Sequence, residues 1–440
     1  MEWQAMLLTI FASLIVLMAT GLPIAICFMI INLVGTYVFF GGTAGLAGFE
    51  QLILSIFSSL ATFELLPVPM FILMGEVMFH SGIALIVLNV FDKWLGRLPG
   101  RLGLLAVAAG VLLAALTGSS IASTGILGSV LVPDMEKRGY KKPMSLGPIM
   151  GAGGLAIMIP PSAMAVLLGT IGEISVGKIL IAIIVPGLLM AFLYALYIVL
   201  RCWLQPSLAP TYEVTSTPLS KKVADTVRYV LPLGIVIFLV VGVILLGIAT
   251  PSEAAATGTA GIFIVIAAYG LLTWEGVKKS IYGTLRVTGM IYLIVAGAAA
   301  FGQILSYSGA SQGLAEFATH LPLPPIFIVV LMHLIVLIMG CFMSVIAIMM
   351  VTLPIFVPLV VTLGFDPVWF AAVYLINVEM AALTPPFGLN LYVMKGVAPP
   401  GTTMGEIIMA AVPFLVCNFV AMGLITTFPP LALWLPQVAR

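Results

Sequence analysis

Between residues 115 and 165 two long apolar runs are each interrupted by residues that break a membrane helix. Thr117-Gly118-Ser119-Ser120 interrupts the first, and Pro160-Pro161-Ser162 interrupts the second. A basic turn with Lys137, Arg138, Lys141 and Lys142 lies between them. A broken apolar helix leaves backbone carbonyls and amides without partners. In a bilayer such groups are tolerated only where they are buried in protein, face water or hold a ligand. This stretch therefore reads as a binding site made of main chain, not as an ordinary pair of spans.

Of the 440 residues, 62% are hydrophobic and 8% charged. A spanning helix needs about 20 apolar residues, and such runs recur from end to end. The predicted class is an all-α polytopic membrane protein. Cys27, Cys202, Cys341 and Cys417 are scattered, with no CxxC pair, and are expected to pack rather than bind metal or form disulfides. His80, His320 and His333 are equally isolated. There is no Walker loop, HExxH or GxSxG, so nothing points to bound ATP or to hydrolysis. An enzyme would need paired intramembrane acids or a Ser/His couple. The N-terminal run lacks a basic n-region and a small-x-small cleavage site, and is expected to be a first span rather than a removed signal peptide.

The 17 Lys and Arg cluster at 93–101, 137–142, 201–228, 278–286 and 395, with only Lys178 and Arg440 elsewhere. The positive-inside rule makes those clusters cytoplasmic. Arg101 and Lys137 then share a side, yet each half of the run between them is short for a full span. A re-entrant hairpin over about 102–136 fits better, followed by a broken helix over about 143–170. Residues 48–64 suggest an interfacial helix, 82–97 an amphipathic one, and 204–228 a cytoplasmic linker.

The chain repeats itself. Gly75…Gly82 matches Gly302…Gly309 at an offset of 227. Val132-Pro133, Gly139-Tyr140 and Pro160-Pro161 match Val357-Pro358, Gly364-Phe365 and Pro385-Pro386 at 225. Val185-Pro186 matches Val412-Pro413 at 227. The second copy predicts a hairpin over about 325–362 and a broken helix over about 367–394. Its turns lack the basic residues of the first, and Asp366 stands there instead. Equivalent elements then lie on opposite sides, which is an inverted-topology repeat. The expected organisation is N-terminal scaffold spans over 1–64, a first repeat over 65–203, linker and scaffold spans over 204–283, a second repeat over 284–420, and a C-terminal span over 405–440.

Each copy pairs a hairpin tip with a broken span: Thr117–Thr124 with Gly151–Ser162, and Gly340–Ser344 with Glu379–Asn390. Half-helix C-termini present carbonyls, and N-termini present amides. Carbonyls and hydroxyls suit sodium; amides and hydroxyls suit a carboxylate. Two related sites would hold two ions with substrate between them. Ser119, Ser162, Ser344, Thr384 and Asn390 are the substrate-binding candidates, with Asn390 also a candidate for holding the second break together. A lone Gly-Ser tip could equally be tight helix packing; its repetition beside a Pro-Pro break favours a site. Glu379 reads either as an ion-attracting group or as a satisfied structural carboxylate. Glu76 matches Gln303 in the other copy, which argues against an obligatory charge. Arg286 is expected to snorkel at a span end.

The run GSSIASTGILGSVLVPDMEKRGYKKPMSLGPIMGAGGLAIMIPPSAM resembles the large membrane subunit of tripartite ATP-independent periplasmic (TRAP) transporters, the DctM-like family. So do VPMFILMGEVMFHSG, LPGRLGLLAVAAGVLLAALTG and ALTPPFGLNLYVMKGVAP, so that the resemblance covers essentially the whole chain. It implies an elevator-type fold of the ion transporter superfamily with 11 or so spans. It also implies sodium-coupled import of a small organic anion, carboxylate or sulfonate, across the bacterial inner membrane. The implied partners are a periplasmic substrate-binding protein and a small four-helix membrane subunit, here a separate chain. By resemblance, one sodium site would use Thr117, Ser119, Ser120, Ala156, Ile159 and Pro161. The other would use Gly340, Ala381, Thr384 and Phe387, in both cases mostly through carbonyls. The first break departs from the family in reading GGLAI, with Ala156 where glycine is common. A stand-alone sodium/anion symporter of the same superfamily is the alternative, and a channel with the hairpins as a filter is a third.

Overall fold

In a computed structural model the chain is described over residues 3–44, 47–96, 98–210, 217–341, 343–386 and 388–439, and is all helical there. The first helices are α1 (Trp3–Ala19), α2 (Ile24–Ala44), α3 (Ala47–Leu60), α4 (Pro67–Ser81) and α5 (Ile83–Trp94). Then come α6 (Arg101–Thr117), α7 (Ser120–Lys137), α8 (Lys142–Met158), α9 (Ala163–Ile171), α10 (Val176–Ala182) and α11 (Ile184–Leu204). Next, α12 (Leu219–Asp225), α13 (Leu231–Ile237) and α14 (Val243–Leu245) run on through π-helical turns at Thr226–Val230 and Phe238–Gly242. The stretch read as a linker is thus helical from Leu219 onward. Two further long helices follow, α15 (Pro251–Ala268) and α16 (Trp274–Tyr307), then the short α17 (Ala310–His320). The chain ends with α18 (Pro325–Gly340), α19 (Val345–Thr362), α20 (Pro367–Leu383), α21 (Leu389–Val397), α22 (Met404–Thr427) and α23 (Pro430–Val438).

Among the described residues, 7 helices are long and apolar enough to cross a membrane, or 8 if α8 and α9, bent by 44°, count as one span. The resemblance implied 11 or so. Beside the long helices are apolar helices of 10–17 residues, among them α6, α18 and α20. Proline ends the last run early: the C-terminal span expected over 405–440 divides at Phe428-Pro429 into α22 and α23.

Two helices form the centre. In α8 every residue from Met144 to Met158 is buried, and in α20 every residue from Val368 to Leu383. Helices apolar all round belong in a protein interior. α6, α7, α11 and α22 pack around α8, while α18, α19 and α22 pack around α20, and α8 packs on α20. The helices α2, α4, α15 and α16 pack on one another at the flank.

The charged ends fix which loops neighbour one another. Lys93 pairs with Asp225 at 2.6 Å, and the Lys141 amide donates to Leu208 O at 2.9 Å. The basic clusters 93–101, 137–142 and 201–228 therefore lie on one side. Lys142 pairs with Glu406 at 2.9 Å in the first turn of α22. At the other end of α22, the Trp369 indole donates to Ile425 O at 2.9 Å. A helix rises about 1.5 Å per residue, so these contacts are roughly 28 Å apart, close to the hydrocarbon thickness of about 30 Å. The turn before α8 and the turn before α20 thus sit at opposite ends of α22. Cysteines placed singly at Lys141 and Gly364, in a chain whose four natural cysteines are serine, are expected to react with an impermeant maleimide from opposite sides of the membrane. Reaction of both from one side contradicts this arrangement.

Candidate functional site

The first break follows from missing amide hydrogens. In a continuous helix the N–H groups of residues 160 and 161 would bond the carbonyls of Ala156 and Ile157. Both residues are proline and have none. The last regular bond of α8 is Ile159 N to Leu155 O, at 2.8 Å. Ile159 then turns extended, and α9 starts after Ser162, whose hydroxyl oxygen accepts from Ala165 N at 3.3 Å. Ala156 and Ser162 are fully buried, and Ile159 nearly so.

The first hairpin reaches this break. α6 ends at Gly118, which is left-handed at φ 57° and donates its N–H to Ala114 O at 3.0 Å. Ser119 caps α7, its hydroxyl oxygen accepting from Ala122 N at 3.3 Å. A Cβ on Gly118 would stand 3.3 Å from Pro161 O and 3.7 Å from Ala163 N. The tip therefore lies against the break, and Gly118 brings its chain neighbours Thr117, Ser119 and Ser120 toward Pro161 and Ser162. The side chain of Thr117 lies outside the described residues.

The second half has the same parts. α18 ends at Gly340, where a Cβ would overlap Ala381 Cβ and lie 2.9 Å from Ala381 Cα. Only glycine lets these two backbones approach so closely. Ser344 caps α19 by accepting from Ala347 N at 3.4 Å. At the break the Thr384 amide donates to Ala381 O at 3.3 Å, Gly388 N to Thr384 O at 3.0 Å, and the Thr384 hydroxyl to Met380 O at 2.7 Å. Asn390, in the first turn of α21, is fully buried, and neither atom of its amide is bonded. Phe387 lies outside the described residues. Pro160-Pro161 and Pro385-Pro386 are both cis.

The hairpins are fastened differently. In the second, the Asn377 amide of α20 donates to His333 O of α18 at 2.6 Å. In the first, small residues meet instead, and a Cβ on Gly110 would be 2.7 Å from Ala152 Cβ.

The structure thus places Gly118 against Pro161 and Ala163, and Gly340 against Ala381, as two tip-to-break junctions, one per half. Three of the serines, Ser119, Ser162 and Ser344, use their oxygens as helix caps, a role the sequence reading did not assign them. Each keeps its O–H for donation. The N-termini of α7 and α9 gather at the first junction and those of α19 and α21 at the second, offering partial positive charge to an anion. The freed carbonyl ends of α8 and α20 offer partial negative charge to a cation. By the same proline rule, Pro161 and Pro386 withhold the regular helix donor from the carbonyls of Ile157 and Ala382, four residues earlier, which the sequence reading did not name. Counting back from each proline would have found them. Among the described residues no group of three or more His, Cys, Asp or Glu could hold a metal ion, so a cation here would depend on carbonyls and hydroxyls.

Comparison with known proteins agrees with this architecture. The family model described as "Tripartite ATP-independent periplasmic transporter, DctM component" matches residues 11–431. The chain is 30% identical over 446 residues to the C4-dicarboxylate TRAP transporter large permease protein DctM of Rhodobacter capsulatus, covering 98% of this chain and 99% of that one. It is 31% identical to the isethionate TRAP transporter permease protein DctMQ of Oleidesulfovibrio alaskensis, over 85% of this chain and 58% of that one. Among solved structures, the Alcanivorax borkumensis YdaH transporter shares the fold, with a TM-score of 0.66 and 17% identity, over 90% of this chain and 91% of that one.

Gly340→Ala places a methyl on Ala381 and is expected to cost about 1–3 kcal/mol, read as a lower melting temperature in detergent. Gly234→Ala, where nothing stands within 4 Å, is the matched control and should leave the melting temperature unchanged or raised. Equal behaviour of the two variants would refute the close contact at the second junction.

Proposed function

The chain belongs to the DctM family of TRAP transporter large permeases, and on that premise we propose that it is the sodium-coupled import subunit for a small organic anion. The single observation that carries this reading is the tip-to-break junction made twice, at Gly118 with Pro161 and at Gly340 with Ala381. Each junction offers a cation main-chain oxygens from a helix C-terminus. Beside them stand helix N-termini suited to a carboxylate or sulfonate. The first sodium site would draw on Thr117, Ser119, Ser120, Ala156, Ile159 and Pro161. The second would draw on Gly340, Ala381, Thr384 and Phe387. Substrate would lie between them, within reach of Ser119, Ser162, Ser344, Thr384 and Asn390.

The substrate class follows from the relatives. Proteins of about equal identity to this chain are named for a C4-dicarboxylate and for isethionate. What those solutes share is a small body with a carboxylate or sulfonate. The proposed cycle is elevator-like: the body built on α8 and α20 moves against the flank of α2, α4, α15 and α16, across the bacterial inner membrane. A periplasmic binding protein would deliver the solute. A small four-helix membrane subunit, on a separate chain, would brace the flank.

Uptake into liposomes holding this chain and its small subunit, fed by the loaded binding protein, is expected to saturate and to stop when potassium replaces sodium. Uptake indifferent to that replacement removes the coupling. Equal rates for the chain alone favour a stand-alone symporter, and flux that never saturates favours a channel. Thr384→Val removes one hydroxyl at nearly constant volume. It is expected to raise the sodium concentration for half-maximal uptake several-fold, and an unchanged sodium curve takes that hydroxyl out of the site.

A further inference from the structure

Gly154 and Glu379 hold the same place in the two halves. They are 225 residues apart, the offset that relates Pro160-Pro161 to Pro385-Pro386 and Ala156 to Ala381. In the fold these two residues meet: a Cβ on Gly154 would overlap Glu379 Oε1. When equivalent residues of two related halves touch, the axis relating the halves passes between them.

Gly154 is two residues before Ala156, and Glu379 is two residues before Ala381. The Glu379 carboxylate therefore stands between the two junctions and belongs to neither alone. It is fully buried, and neither oxygen has a hydrogen-bond partner. The helices packed on α20 are α8, α9, α10, α18, α19, α21, α22 and α23. Their charged side chains sit away from Glu379. Lys142 of α8 pairs with Glu406 of α22, Lys395 of α21 donates to Thr402 O, and Lys178 of α10 is exposed. The one histidine among them, His333 of α18, faces Asn377. Among the described residues no basic side chain answers the carboxylate, and a buried anion without a counter-charge is strongly disfavoured.

We propose that Glu379 is the shared counter-charge of both cation sites, standing on the axis that relates them; this rests on the sodium-coupled reading above. Carbonyls and hydroxyls orient a cation but bring no net charge. Two monovalent cations held by such groups alone would put two positive charges in a low-dielectric interior. One carboxylate midway attracts both at once. Gly154 leaves room for that carboxylate and for no second acid. Two cations, Glu379 and a singly charged anion then sum to zero at the site.

The test is Glu379→Gln in the complete transporter with its small subunit and binding protein. The sodium concentration for half-maximal uptake is expected to rise about tenfold or more, with the maximal rate recovered at high sodium. Glu379→Asp, which keeps the charge, should stay closer to the parent. In detergent, the rise in melting temperature that sodium gives over potassium should shrink in the Gln variant and persist in the Asp variant, which reads cation binding without transport. A parent that depends on sodium together with a Gln variant of unchanged sodium curve overturns the proposal, because a carboxyl that carries no charge behaves that way. A parent indifferent to sodium overturns the sodium reading itself, and this inference with it.

Discussion

The rest of the structure depends on amide hydrogens that four prolines do not have. Pro160, Pro161, Pro385 and Pro386 each leave a carbonyl one turn earlier without its regular partner. In a lipid environment such a carbonyl must be enclosed by protein or put to use. This is why α8 and α20 are the most deeply buried helices of the molecule. It is also why hairpin tips, rather than lipid, lie against the broken ends. The hairpins themselves answer the same constraint. At their tips α7 and α19 begin under serine caps, as α9 does after the first break.

Burying two broken helices side by side needs close approach, and glycine supplies it. Gly340 lets α18 touch α20, and Gly154 makes room for Glu379 at the crossing of α8 and α20. Neither place tolerates a Cβ without movement. Polar ties then set the register that small residues leave loose. Asn377 holds His333 O across the second hairpin, and Tyr194 holds Asn418 between α11 and α22. The two halves are alike in plan but differ in how they are fastened. The first hairpin has only small residues, Gly110 and Ala152, at a place where the second has a directional hydrogen bond.

Much of this was legible in the residues. Gly118 and Pro160-Pro161 mark a tip and a break by the physics of their backbones, and the 225-residue offset carried the same parts to Pro385-Pro386. What the sequence could not show is which groups meet. The capping roles of Ser119, Ser162 and Ser344 depend on where each helix begins, and a hydroxyl beside a break looks the same whether it caps or binds. Apolar character alone does not separate a short buried helix such as α20 from a crossing one. Glu379 was visible as a lone intramembrane acid, but its partner across the core is a glycine, which leaves no chemical trace in a sequence. The stretch read as a linker is helical from Leu219 onward, directly after its last proline, Pro218.

α22 is pinned at both extremities, by Lys142 at its start and by Trp369 at its finish. Those two anchors sit on the turns that introduce α8 and α20. Any rigid displacement of the central pair must therefore carry α22 along as a passenger. Under the proposed cycle, the seam between the moving part and the standing part would run outside this helix.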